Sequence, residues 1–386
     1  MINFQPLRDF MDQLTAWRIP GADLAVSWKG REVFRYQSGY ADVARQKPLA
    51  DNQLYNLYSV SKVFTCTAAL QLLERGRYIL TDPVSLYLPE FAHPRLRQIS
   101  PNGTVTLTEA CRPIRIVDLF TMSAGLDYDL NAAPVPQVFQ ETGGRCPTQT
   151  VIRALAARPL QFEPGTHWQY SLCHDVLGAL IEIWSGQSLG DYMQQHIFLP
   201  LGMTDTSFSL SAEQEPRLAE QYRFNDETQQ AELTPRGSNE YRLGSEYQSG
   251  GAGLISSVRD CLRLADALAH LGKLPNSSDR LLAQATVELM RTNHLDPVRQ
   301  QDFNWDPMLG YGYGLGVRTL VDRSLGGCLS PKGEFGWGGA AGAYMLIDPL
   351  NELSIFYAQH LLNSQEPYVH PRLRNLVYAC LNPDRF

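Results

Sequence analysis

Ser59 and Lys62 stand three residues apart at the head of an apolar run, Ser59-Val60-Ser61-Lys62-Val63-Phe64. In a helix that spacing puts both side chains on one face. An ordinary lysine is almost fully protonated at neutral pH and makes a poor base. Burial on an apolar helix disfavours the ammonium and lowers its pKa. A neutral Lys62 then accepts the hydroxyl proton of Ser59, and the helix N-terminus offers N–H groups to a developing oxyanion. The same residues also read as a helix cap followed by a solvated lysine.

Two further stretches carry chemistry. Pro164-Gly165 marks a turn, and a buried helical pattern starts soon after it, with Tyr170 at the junction. A tyrosine so placed points its hydroxyl into a cleft and passes a proton to and from a nearby lysine, or anchors the turn as a core residue. Gly336-Trp337-Gly338-Gly339-Ala340-Ala341-Gly342 is a glycine-dense strand. Such a strand allows a ligand to approach the backbone, or is bulged and tightly packed. An exposed N–H there completes an oxyanion hole.

The elements that position these residues follow from periodicity. Leu7, Phe10, Met11 and Leu14 predict an amphipathic first helix. Ala22–Trp28 and Glu32–Ser38 flank Lys29-Gly30 and predict a β-hairpin. Ser59–Arg75 reads as a largely buried helix stopped at Gly76. Helical patterns recur at Ile116–Met122, Asp175–Trp184, Val258–Leu271 and Leu281–Met290. Gly312–Val317, Gly336–Gly342, Ala343–Ile347 and Leu353–Gln359 read as strands, with Asp348-Pro349-Leu350-Asn351 as a turn. A helical pattern at Leu373, Leu376, Val377 and Cys380 closes the chain. The expected division is an α/β unit from residues 1–85 and 300–386, with a helix-rich region, 86–299, inserted into it. The polar stretch Ser209–Ser249 is long enough to line a pocket.

Composition excludes several classes. A net charge of -7 with no basic run argues against nucleic-acid binding. No stretch reaches the 18 or so apolar residues that span a bilayer, and the first residues lack a signal-peptide core. A cytoplasmic home and no membrane partner are expected. The seven cysteines are odd in number, without a C-x-x-C, and the eight histidines lack metal spacing. No metal and no cofactor are expected, and oligomeric state is not encoded in any readable pattern.

The blocks LYSVSKVFTCTAALQLLERGR, IRIVDLFTMSAGL, FEPGTHWQYSLCHDVLGALIE, IFLPLGMTDTSF, GGAGLISSVRDCLRLADAL and GWGGAAGAYMLIDP stand in a familiar order. With them the chain resembles the serine β-lactamase and penicillin-binding-protein superfamily, in its class C-like branch. The resemblance implies an α+β fold: an antiparallel sheet flanked by helices, with a helix-rich inserted region. It matches Ser59 to the acylated serine, Lys62 to the motif lysine and Tyr170 to the tyrosine of the Y-x-N element. Trp337-Gly338-Gly339 matches the K/H-T-G strand, and Ala340 lends its N–H to the oxyanion hole beside that of Ser59.

Two departures point to a subfamily. Leu172 stands where lactamases and DD-peptidases carry the Asn that bonds the substrate, and Trp337 where they carry Lys or His, so Leu172 and Trp337, with Gly338 and Gly339, are expected to meet the substrate. A substrate carboxylate against Trp337 loses water and gains a countercharge only if one of the 28 arginines supplies it. The Y-S-L and W-G-G pair is similar to the family VIII carboxylesterases. The expectation is a serine hydrolase cleaving a small-molecule ester, with neutral acyl esters preferred. The alternatives are a β-lactamase, a D-amino-acid peptidase or acyltransferase of the same fold, or a non-catalytic binding protein. Tyr128 is expected to line the pocket or to pack as a loop aromatic, and His174 to be structural.

Overall fold

The computed structural model describes residues 2–235, 239, 241–275, 277–303 and 305–381. Its main sheet has eight strands, all antiparallel: β1 (Gly21–Trp28), β2 (Arg31–Asp42), β3 (Lys47–Pro48), β4 (Tyr311–Tyr313), β5 (Arg318–Leu320), β6 (Phe335–Gly338), β7 (Tyr344–Asp348) and β8 (Leu353–Gln359). The spatial order is β4-β5-β6-β7-β8-β1-β2-β3. The first strand is therefore central, held between β2 and β8. Lys29 and Gly30 take φ of 53° and 73° in the β1–β2 turn. Two positive φ values in a two-residue loop match the right-handed twist of the strands.

Both faces of the sheet are covered, as the period of two requires. Leu24, Val26, Leu346 and Ile355 pack with Leu7, Met11, Leu373 and Val377, on helices α1 (Gln5–Trp17) and α5 (Glu366–Leu381). Ala25, Met345, Ile347 and Phe356 belong to the other core, which is built with α4 (Val258–Ala269) and the helix-rich part. The α+β architecture expected from the sequence is thus present. The first helix buries Leu7, Phe10, Met11 and Leu14, the residues its periodicity marks.

Two glycine-rich stretches end sooner than their patterns suggest. Gly312–Val317 is not one strand. Gly314 N–H bonds the Val317 carbonyl at 2.7 Å, so the chain turns there and β4 pairs with β5 as a hairpin. The strand expected over Gly336–Gly342 stops at Gly338. Gly342 N–H closes a turn on the Gly339 carbonyl at 2.7 Å.

Helix α2 (Ser61–Glu74) is buried from Ser61 to Leu72 and packs on α3 (Cys173–Ser185). A buried helix must satisfy its polar side chains internally. Thr65 Oγ1 donates to the Gly250 carbonyl at 2.7 Å, and Gln71 Nε2 to those of His196 and Leu281 at 3.0 and 3.1 Å. Gly76, at φ 66°, ends the helix. Its N–H bonds Leu73 and that of Arg77 bonds Leu72, at 2.9 and 3.0 Å. That pair of bonds is a Schellman closure.

The β7–β8 turn depends on Asp348. Its carboxylate accepts from Leu350 N at 2.9 Å, Asn351 Nδ2 at 2.7 Å and the Tyr378 hydroxyl of α5 at 2.7 Å. Asp348→Ala leaves the Tyr378 hydroxyl and the Asn351 amide buried without this partner. We expect a loss of about 2–3 kcal/mol in urea unfolding. Tyr378→Phe should cost clearly less, and equal losses would show that the turn itself contributes nothing.

Candidate active site

Strand Leu54–Asn56 pairs antiparallel with Ile255–Ser257, and Leu57 N–H bonds the Leu254 carbonyl at 2.9 Å. This pairing fixes the chain just before Ser59. Tyr58 then takes φ 46°, a conformation that costs a bulky residue about 1–3 kcal/mol. Ser59 sits in a single 3-10 turn, Tyr58–Val60, rather than in the first turn of α2, which starts at Ser61. The strained turn leaves Ser59 half-buried at the wall of a cleft while its neighbours Tyr58 and Val60 are buried.

Lys62 is fully buried. Its Nζ lies 3.2 Å from Ser59 Oγ, 2.7 Å from the Gly251 carbonyl and 3.3 Å from the Tyr128 hydroxyl. Burial pulls its pKa from the ordinary 10.5 down to about 7, and the Asp175 carboxylate pulls the other way. As an ammonium Nζ can donate to Ser59, Gly251 and Tyr128 together; as a neutral amine it keeps two N–H groups and one lone pair, which can accept the Ser59 hydroxyl proton.

Tyr170 follows the Pro164-Gly165 turn and precedes α3. Its ring lies between Tyr128, at 5.3 Å and 6°, and Trp337, at 5.9 Å and 19°. Lys62 Nζ stands 4.6 Å over the Tyr170 ring centroid. The Trp337 indole N–H donates to the Tyr170 hydroxyl at 3.3 Å, and Ser59 hydrogen-bonds the same hydroxyl. Burial raises the phenol well above its ordinary value, and these two hydrogen bonds pull it back. One chain of polar contacts thus runs Lys62–Ser59–Tyr170–Trp337.

Gly336 in β6 and Gly339 just beyond it allow close backbone approach. A Cβ on Gly339 would stand 2.2 Å from the Leu57 carbonyl, and one on Gly336 would stand 2.0 Å from that of Met345. At both positions the close neighbour is this chain's own backbone, so the tightly packed reading of the glycine run holds there. The approach of Gly339 to Leu57 brings Ala340 onto the same cleft as Ser59.

The cleft has a volume of about 330 Å³. Ser59, Tyr170, Trp337, Gly338, Gly339 and Ala340 line it. Tyr128 does not. It lies behind Tyr170, holding Lys62. Leu172 is also placed elsewhere, in correction of the expectation that it meets substrate. It is 2% exposed and faces a small cavity between Leu126, Leu155 and Pro159. The reason is its position as N-cap of α3, with its N–H on the Asp127 carbonyl at 3.1 Å, which turns the side chain into the core. His174 is buried and neutral, pushed down to about 3 by burial, with Nε2 on the Phe120 carbonyl at 3.3 Å. Of the polar stretch 209–249, Tyr241 lines the cleft, and residues 236–238 and 240 lie outside the described residues.

Sequence reasoning missed several residues here. Asp175 is buried against Gly251 on the far side of Lys62, and accepts from Ser249 at 2.6 Å and Tyr247 at 2.9 Å. Burial raises its pKa, against the hydrogen bonds and Lys62. The signal available was a lone acid inside an apolar helical pattern. Arg318, Glu366, His370 and Arg374 also line the cleft. Arg318 pairs in register with Gly336, beside Trp337, but its guanidinium is buried and donates to the Met345 carbonyl and to Glu334.

The family model described as Beta-lactamase matches residues 7–379. The chain belongs to the beta-lactamase family. Esterase EstB of Burkholderia gladioli is 32% identical, over 96% of this chain and 93% of the esterase. Among solved structures, EstCE1, titled a hydrolase with promiscuous acyltransferase activity, is 28% identical with a TM-score of 0.78, covering 96% of this chain and 97% of EstCE1. The simvastatin synthase LovD of Aspergillus terreus is 25% identical with a TM-score of 0.81, over 98% and 99% of the two chains. A beta-lactamase-family chain with esterase and acyltransferase relatives is a serine hydrolase in the broad sense.

Lys62 is one of five lysines, so a carbon-13 label at the lysine ε-carbon is assignable with a Lys62→Ala control. Its resonance should titrate near pH 7 rather than near 10.5. Asp175→Asn removes a charge that favours the ammonium, so the midpoint should move further down. A midpoint that stays put or rises in Asp175→Asn would show that Asp175 is not felt at Lys62.

Proposed function

We propose that this chain is a carboxylesterase-like hydrolase that forms an acyl-enzyme on Ser59 and prefers esters without a carboxylate. The observation that carries this reading is Trp337. Where lactamases and DD-peptidases present a cation, this cleft presents an indole whose N–H is already given to Tyr170.

In this mechanism Ser59 Oγ attacks the ester carbonyl while its proton passes to the Lys62–Tyr170 unit. Neutral Lys62 is the ground-state acceptor, because its pKa lies near 7 while the Tyr170 phenol stays protonated. Tyr170 relays a proton to the leaving alcohol oxygen, and the Trp337 N–H stabilises the phenolate that forms in passing. The N–H groups of Ser59 and Ala340 hold the oxyanion. Water, activated by the same unit, then resolves the acyl-enzyme. Because EstCE1 is titled a hydrolase with acyltransferase activity, an added alcohol is the natural competitor of water in this step.

The assignment makes two demands. Ser59→Ala should lower ester turnover by about a thousandfold or more and abolish labelling by a fluorophosphonate, read as intact mass. Lys62→Ala and Tyr170→Phe should each cost about a hundredfold or more, and the double variant little beyond the worse single one, because groups that act as one unit are non-additive. Labelling that persists in Ser59→Ala, or losses that multiply, would remove the assignment.

Specificity is tested with a neutral p-nitrophenyl ester and a chromogenic cephalosporin on one preparation, each corrected for intrinsic reactivity. We expect kcat/KM to favour the ester, and Trp337→Lys to move the ratio toward the lactam. A cephalosporin value equal to or above the ester's would reverse the choice between esterase and lactamase.

A further inference from the structure

Beyond Gly338 the cleft holds groups that the chemistry above does not use. Glu366, in the first turn of α5, reaches toward β6. A Cβ on Gly338 would stand 3.5 Å from Glu366 Oε2 and 3.6 Å from His370 Cε1. His370 Nε2 lies 3.1 Å from the Gly342 carbonyl. A carbonyl only accepts, so Nε2 carries the proton, and Nδ1 of the neutral ring is a lone pair. Burial, with Arg318 and Arg374 nearby, holds this imidazole neutral, at a pKa of about 3. Nδ1 stands 3.8 Å from Glu366 Oε2. Two acceptors therefore face one another on the cleft wall, and among the described residues no hydrogen-bond donor reaches the Glu366 carboxylate.

The arginines nearby do not fill this gap. Arg318 and Arg374 are 3% and 4% exposed, whereas the Glu366 side chain is 43% exposed. Arg318 donates to the Met345 carbonyl at 3.3 Å and to Glu334 at 3.4 Å, and Arg374 donates to the Tyr311 hydroxyl at 2.6 Å. The cleft lining is a carboxylate, an imidazole lone pair, the aromatic groups of Tyr170, Tyr241, Trp305 and Trp337, and the two buried arginines, whose guanidiniums are held by Met345, Glu334 and Tyr311. A carboxylate and a lone pair accept N–H bonds, and aromatic faces attract cations. Partial burial raises the Glu366 carboxyl above its ordinary value, with Arg318 pulling it down. A bound cation favours its ionised form.

We propose that this cleft selects esters bearing an ammonium group, held between Glu366 Oε2 and His370 Nδ1 against the aromatic wall. The proposal rests on the esterase reading and names the substrate class of the same site. It is tested with three p-nitrophenyl esters of equal chain length: an alkanoate, its ω-amino analogue and the matching dicarboxylate monoester. The series is repeated over several lengths at pH 8. The amino ester should exceed the alkanoate in kcat/KM by about tenfold after correction for intrinsic reactivity, the usual scale of a charge-assisted contact with cation–π support. Glu366→Gln should bring that ratio close to one, and Glu366→Asp should restore part of it. An alkylammonium ion should inhibit alkanoate hydrolysis competitively, and less so in Glu366→Gln. A preference for the dicarboxylate ester, or an amino-to-alkanoate ratio of one or less at every length, would overturn the proposal while leaving the esterase reading intact. Failure to turn over the alkanoate at all would remove the esterase reading itself.

Discussion

The burial of one amine governs the site. Lys62 sits on a helix that has no solvent face over its first three turns, so its ammonium has no water to retreat to. A buried charge is tolerated only where partners replace its hydration. Here the Gly251 carbonyl and the Asp175 carboxylate do so in part, and the balance leaves the amine poised between its two forms. The rest of the architecture serves that balance. Strand Leu54–Asn56 delivers Ser59 to the amine through a strained tyrosine, and α3 delivers Asp175 behind it.

The second half of the site is aromatic. Tyr128, Tyr170 and Trp337 form a stack beside Lys62, which brings a phenol and an indole N–H to the nucleophile. Trp337 thereby joins the chain of polar contacts that runs from Lys62 through Ser59 and Tyr170. Beyond Trp337 the cleft continues past Gly338 to Glu366, His370 and Arg374 of α5.

Much of this was legible in the sequence because local rules agreed with the fold. The β1–β2 hairpin follows from alternation and a Lys-Gly turn, the first helix from four apolar residues, and the end of α2 from Gly76. Ser59, Lys62 and Tyr170 stood out through the resemblance of their motifs to a known family, since each stretch alone also fitted a structural role, and the structure brings all three together. Leu172 misled because a motif position says nothing about rotation: as the cap of α3 its side chain turns inward. The strand breaks at Gly314 and Gly339 were hidden because glycine fits strand and turn alike, and tertiary approach decides between them. Asp175, Glu366 and His370 were invisible for a related reason. Asp175 meets Tyr247 and Ser249, and Glu366 and His370 meet Gly338 and Gly342, all remote in the chain, and a polar residue inside a helix does not say which distant segment it will face.

The sheet order has a consequence for how the molecule is made. During synthesis β1 emerges early, yet its neighbour β8 ends at Gln359, more than 300 residues later. Until then the hairpin β1–β2 has a bare apolar edge, the kind of surface that pairs with other chains. Ser59 is likewise translated long before Trp337 and Ala340. A nascent chain therefore carries Ser59 and Lys62 with one wall of their cleft missing until its last strands and helix close the sheet.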